Sequence, residues 1–248
     1  MRKKRIKLSL ISSLHYLKLV TRSLLFVAIL VFYILDKTTK LVNFWPLPIT
    51  VWVIFVVEMV LRFFPSRLES MGCQKQFARN YEPIDEGAVP VNQPWWVTAL
   101  VAGIWLSLNG VFGLLYFLGV FDAGILILIA LGFSVCDIIC ILYFCPFQTW
   151  FMKNRCCATC RIYNWDYAMM FTPLVFIPHI YTYSLLGCAL LLLLRWEITY
   201  RRHPERFSTA TNRCLDCSRC EEKLCSHKTQ LRSFIKKYKD RFFGSDPK

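Results

Sequence analysis

Apolar residues are gathered into long blocks separated by short polar stretches, rather than spaced at helical period through a mixed background. Blocks of this kind mark bilayer-spanning helices, because about 20 apolar residues are needed to cross the ~30 Å hydrocarbon layer. The blocks run from Leu24 to Leu35, from about Leu41 to Phe64, from Trp95 to about Phe121, from Ile125 to Cys145, and from Ala168 to Leu194. The pattern predicts an all-α, multi-pass helical bundle of four to five membrane segments. Residues 1–23 read as a basic amphipathic interfacial N-terminus. Residues 24–194 form the membrane domain, with loops at 65–94 and 146–167, and 195–248 a short Cys-rich basic tail.

Local signals refine these boundaries. Leu8, Ile11, Leu14 and Leu17 recur behind Arg2-Lys3-Lys4-Arg5, as in a helix lying on a membrane surface. The charged start and short apolar run imitate a signal peptide, but Asp36-Lys37-Thr38-Thr39-Lys40 follows instead of a small-residue cleavage site, so an uncleaved anchor is expected. Gly119 to Gly124 predicts a tight hairpin. Pro173 and Pro178 interrupt the last block, which therefore either crosses once as a kinked helix or enters and returns. Trp45, Trp95, Trp96, Trp150, Trp165 and Trp196 fall at block ends, where aromatic belts sit.

Composition agrees with a membrane protein: 56% of the 248 residues are hydrophobic, above the usual ~45–50%. The formal charge of +14 is accounted for by Lys and Arg collecting in cytoplasmic segments and beside anionic lipid, so no nucleic-acid partner is expected. In the tail, Leu231, Phe234, Ile235, Tyr238 and Phe242 keep helical spacing among Arg232, Lys236, Lys237, Lys239 and Arg241. Such a helix binds anionic lipid headgroups or packs on the protein itself. A protein partner at the tail is a further expectation.

Topology decides which side the cysteines face. Five crossings with the N-terminus inside put fourteen Lys and Arg inside and sixteen outside, no bias at all. A re-entrant last block gives twenty-eight against two, and a first block lying on the surface gives twenty-three against seven. Ignoring the distal tail, five crossings score fourteen against seven. The tail is expected in the cytoplasm, and the side of the 146–167 loop follows from whether the last block returns.

Ionisable groups inside apolar blocks are functional candidates by default. Glu58 and Arg62 lie four apart, as a helix pair. Asp137 lies ~12 Å along its helix from Cys145, and Asn109 and His179 are the polar residues proposed to meet it. Cys136, Cys140 and Cys188, also inside apolar blocks, read as small hydrophobes.

Thiols carry the remaining chemistry. Cys214-x2-Cys217-x2-Cys220-x4-Cys225 can wrap one ion or cluster, and thiolates in this number suit an iron–sulfur cluster or zinc. His203 and His227 are spare ligands that would favour zinc. In the polar island Cys145–Asp166, Cys157 and Cys160 form a Cys-x2-Cys pair that Cys145 or Cys73 could complete. The same pair could serve as a redox dithiol near Lys153, Arg155 and Arg161. Cys145-Pro146 with the tail quartet resembles membrane-bound polyferredoxin-type electron carriers, over about a tenth of the chain. That family's motif closes after three residues with a following proline, whereas here four intervene and Ser226 follows. No Ser/His/Asp arrangement, glycine-rich phosphate loop or His-Glu-x2-His helix occurs, so hydrolase and nucleotide-binding readings have no support and whether the chain is an enzyme stays open. Three readings follow: a membrane redox or electron-transfer component with an iron–sulfur cluster, a non-enzymatic scaffold or regulator with a zinc-stabilised tail, and an ion or metal transporter using Asp137, Asn109 and His179.

Overall fold

The computed structural model describes residues 10–39, 46–64, 71–85, 87–91, 93–152 and 159–216. Among them the chain is all-helical, without strands. Its helices are α1 (Leu10–Thr39), α2 (Pro46–Arg62), α3 (Met71–Gln76), α4 (Trp95–Phe117), α5 (Ala123–Leu142), α6 (Asp166–Phe171) and α7 (Ile180–Arg202). Among the described residues four stretches are long and apolar enough to cross a membrane: Ser13–Lys37, Trp95–Phe117, Ala123–Leu142 and Ile180–Arg202. With 17 residues, α2 is ~25 Å long and falls just short by itself.

Two expected boundaries change. The interfacial helix and the first membrane segment are one rod, α1, because no glycine or proline interrupts Leu10–Thr39. The last apolar block is two pieces. α6 continues into a 3-10 turn over Thr172–Phe176, the chain breaks at 177–179, and α7 then returns beside α6. Pro173 sits in the first turn of the 3-10 segment, where its missing N–H costs nothing, and Pro178 lies in the break. His179 accepts from the backbone N–H of Tyr181 at 3.4 Å and so caps α7.

Side-chain pairings fix the directions. Arg22 of α1 meets Ser134 and Asp137 of α5, while Tyr33 meets Asp122, so these two helices are antiparallel. Trp52 reaches Ser184 and Arg195 reaches the carbonyl of Phe63, so α2 and α7 run parallel. Phe55 packs on Phe171 and Arg62 pairs with Asp166, so α6 opposes α2. Along α4, Trp105 meets Thr172 and Phe117 meets Phe176. The Phe176 ring occupies the space a β-carbon on Gly113 would fill, so a glycine there admits the close approach.

These directions give the bundle two unlike ends. One end carries short connections: Gly119, in the left-handed region at φ 74°, turns the α4–α5 hairpin, and 177–179 turns α6 into α7. Asp122 caps α5 by accepting from the Ile125 N–H at 2.9 Å. Burial alone would raise its carboxyl, but that bond, the Tyr33 hydroxyl and Lys37 hold it below its ordinary value.

The opposite end gathers the longer described connections. The 71–94 stretch is clamped between the polar island and the chain after α7: Asn164 donates to Gln76 at 2.7 Å, Gln93 to the Met152 carbonyl at 2.6 Å, and Asn212 to the Lys75 carbonyl at 3.1 Å. The backbone N–H of Arg213 donates to the Glu82 carbonyl at 2.8 Å. The island and the beginning of the tail therefore share one end.

Candidate functional site

On α5, Phe133, Cys136, Asp137, Cys140 and Ile141 follow one another at three- and four-residue spacing and line one side of a cavity. The helix stops at Leu142, and Cys145-Pro146 turns the chain into a π-turn over Phe147–Phe151. That turn places Cys145 on the wall of the same cavity as Cys140. The backbone N–H of Gln148 donates to Cys145 Sγ at 3.4 Å. Cys160, 7% exposed, is packed with Val97, Val101, Met152 and Ile162 and closes the cavity from the island.

The cavity, open on one side, has a volume of about 140 Å³. Four thiols, those of Cys136, Cys140, Cys145 and Cys160, share its wall with Asp137 and Asp166. Apart from Gln148 the rest is apolar and aromatic, chiefly Trp105, Phe133, Phe147, Tyr163, Met169 and Met170.

Behind the two carboxylates lies an ionic layer. Arg22 donates to Asp137 at 3.4 Å, to Glu58 at 2.6 Å and to the Ser134 carbonyl at 3.0 Å. Lys18 stands 3.5 Å from Glu58, Tyr167 donates to Glu58 at 3.1 Å, and Arg62 pairs with Asp166. The Arg62 guanidinium also lies 5.2 Å from the Tyr167 ring and 5.6 Å from the Tyr163 ring, while Arg22 lies 5.3 Å from Phe55. Three cations face three carboxylates, so the layer is neutral when all are ionised, the condition under which charges are tolerated inside a bundle. A smaller cavity beside Lys18, Arg22, Arg62 and His15 shares Asp137 and Asp166 with the thiol cavity. The two aspartates are thus a partition between a thiol compartment and a cationic one.

Several expected groupings do not form. Asp137 is met by Arg22, not by Asn109 or His179: Asn109 donates to the Trp105 carbonyl of its own helix, and exposed His179 stacks on Tyr181 at the opposite end. Glu58 and Arg62, expected as a pair, are instead held by Arg22 and Lys18 on one side and by Asp166 on the other. Cys145 and Cys160 do line one cavity. Cys214 sits in the short turn Arg213–Leu215, its N–H bonded to Asn212 Oδ1 at 3.1 Å. Cys157, Cys217, Cys220 and Cys225 lie outside the described residues, as does the expected basic helix of the tail. Among the described residues no three His, Cys, Asp or Glu side chains stand together as a metal site, so Cys145 and Cys160 do not by themselves form one.

Sequence reasoning missed Cys136 and Cys140, taken as small hydrophobes, and Arg22, assigned to a surface helix. A signal was present for each. Cys136 and Cys140 are i, i+4 neighbours bracketing Asp137, and Arg22 lies in an uninterrupted helical stretch. No protein-family model, curated protein or solved structure matches this chain.

Proposed function

We propose that this is a membrane redox protein whose working couple is the dithiol/disulfide pair of Cys140 and Cys145. The observation that carries this reading is that these two cysteines line one cavity together with two further thiols. Thiolate is the reactive form of cysteine, and a backbone N–H aimed at sulfur favours it, which makes Cys145 the nucleophile. Closing the bond converts two thiols into one disulfide and releases two electrons and two protons to an acceptor. Cys160 offers the oxidised pair an exchange partner on the island: its thiolate attacking the Cys140–Cys145 disulfide forms a mixed disulfide and releases the other cysteine as a thiol. Treating the purified full-length protein with diamide, then blocking residual thiols and mapping peptides without reductant, is expected to give a Cys140–Cys145 link. Both thiols alkylated after diamide would refute the reading.

The same reading sets the island end, and with it the tail, in the cytoplasm. Support comes from charge: among the described residues Lys75, Arg79, Arg161, Arg201, Arg202, Arg206 and Arg213 belong to segments that meet at that end, and Lys37 is the one Lys or Arg at the other. Lys and Arg near membrane spans accumulate on the cytoplasmic side. A C-terminal green fluorescent fusion should therefore fluoresce, and a C-terminal alkaline phosphatase fusion should be inactive. The opposite pair of results would invert the assignment.

A further inference from the structure

We propose that the thiol cavity is a binding site for the ring of a lipid-soluble quinone, which enters from the bilayer past Cys136 and accepts the two electrons of the Cys140–Cys145 dithiol. This inference rests on the redox reading above and adds the acceptor.

Access comes first. Cys136 is exposed on α5, one of the four helices apolar and long enough to span the membrane. An exposed position on such a helix faces lipid. Exposed large hydrophobics follow it in the chain: Ile139 on the same helix, and beyond the helix end Phe144 and Trp150, which meet edge to face at 5.7 Å. The thiols are thus approached through hydrocarbon, which selects an oxidant dissolved in the bilayer.

Size and shape then narrow the ligand. An apolar cavity of about 150 Å³ holds one benzene ring, so a volume of about 140 Å³ admits a single ring with its tail left in lipid. Trp105 and Phe133, with ring centroids 4.6 Å apart, and Phe147 and Tyr163 supply flat aromatic surfaces for offset or edge contacts. Met169 and Met170 supply polarisable side chains that adapt to ring substituents.

The chemistry balances without a third reagent. Two thiols and one quinone give one disulfide and one quinol: sulfur is oxidised, the ring is reduced, and both thiol protons end on the quinol oxygens. Asp137, on the same wall, is placed to carry one of those protons between sulfur and oxygen.

The test uses the full-length protein in lipid nanodiscs, reduced and then freed of reductant without oxygen. A short-tailed, fully substituted benzoquinone is added, since it leaves no ring C–H across which a thiol can add. About one quinone per chain should lose its oxidised absorbance as the Cys140–Cys145 disulfide appears. Met169→Trp, which fills the ring's place, should raise the half-saturating quinone concentration about tenfold or more. Independently of any variant, a photoreactive azido derivative of the same quinone should label wild-type peptides from Phe133–Phe147 or Cys160–Met170. If diamide closes the disulfide but the quinone is neither reduced nor crosslinked there, the quinone site is overturned while the redox reading stands. If neither oxidant closes the disulfide, the redox reading falls and the electron transfer falls with it.

Discussion

Arg22→Leu is expected to cost about 3–5 kcal/mol of stability and to lower the thermal midpoint of the detergent-solubilised protein by about 6–20 °C. The size follows from what is left behind. Arg22 is 4% exposed and is the cation that reaches both Glu58 and Asp137. Removing it leaves two carboxylates facing each other across a buried gap, and breaking a buried pair costs far more than the pair's net contribution. Lys18, 32% exposed, is paired with Glu58. Lys18→Ala should therefore move the midpoint little, since partly exposed pairs contribute about 0–1 kcal/mol. The decisive control removes the whole set. Arg22→Leu, Glu58→Leu and Asp137→Leu together should recover much of the loss, because apolar replacement of a complete buried ionic group is often neutral or stabilising by about 1–4 kcal/mol. A wild-type midpoint for Arg22→Leu alone would mean that the layer does not hold α1, α2 and α5 together. The measurement is the fraction of monodisperse protein after heating, read by size-exclusion chromatography.

The same residues show which features could be read from the chain and which could not. Four helices long and apolar enough to cross a membrane were legible among the described residues, because a run of that length is visible without tertiary information. Asp137 was legible as an anomaly for the same reason. Its partner was not, because pairing depends on how α1 and α5 are set against each other, and that register comes from contacts such as Tyr16 on Tyr143 and Tyr33 on Asp122. Ending the surface helix before Leu24 also put Arg22 in the wrong environment. The prolines announced that the last block is broken, yet its direction after the break is set by Trp165 and Arg161 reaching Glu197. Polar clamps such as Arg213 to Glu82 join positions far apart in sequence through backbone atoms, which carry no residue-type signature. The thiol cavity was half legible: Cys145 and Cys160 stood out in a polar island, whereas Cys136 and Cys140 were hidden by an apolar background in which cysteine is ordinary.

Cys145→Ser is expected to abolish internal disulfide formation, with no other thiol on α5 able to replace it. Cys140 would retain Cys136 as its neighbour one turn earlier, but residues four apart on a helix keep their β-carbons about 5–6 Å apart. A disulfide needs about 3.5–4.5 Å, so a Cys136–Cys140 bridge would require unwinding α5 in its last turns, beside the buried Ile138 and Leu142. Cys145 has no such restriction. It lies beyond the helix end, where the chain has already turned and sets it on the wall of the cavity that Cys140 also lines. Serine keeps the size and a weak acceptor for the Gln148 N–H while removing the nucleophile, so the loss reports chemistry rather than packing. Cys136→Ser, by contrast, should leave the disulfide intact under diamide, because Cys136 takes no part in the bond. Peptide mapping of the two variants after diamide separates the outcomes. A Cys140–Cys160 link in Cys145→Ser would make the island thiol the true partner and would move the nucleophile from the helix end to the loop.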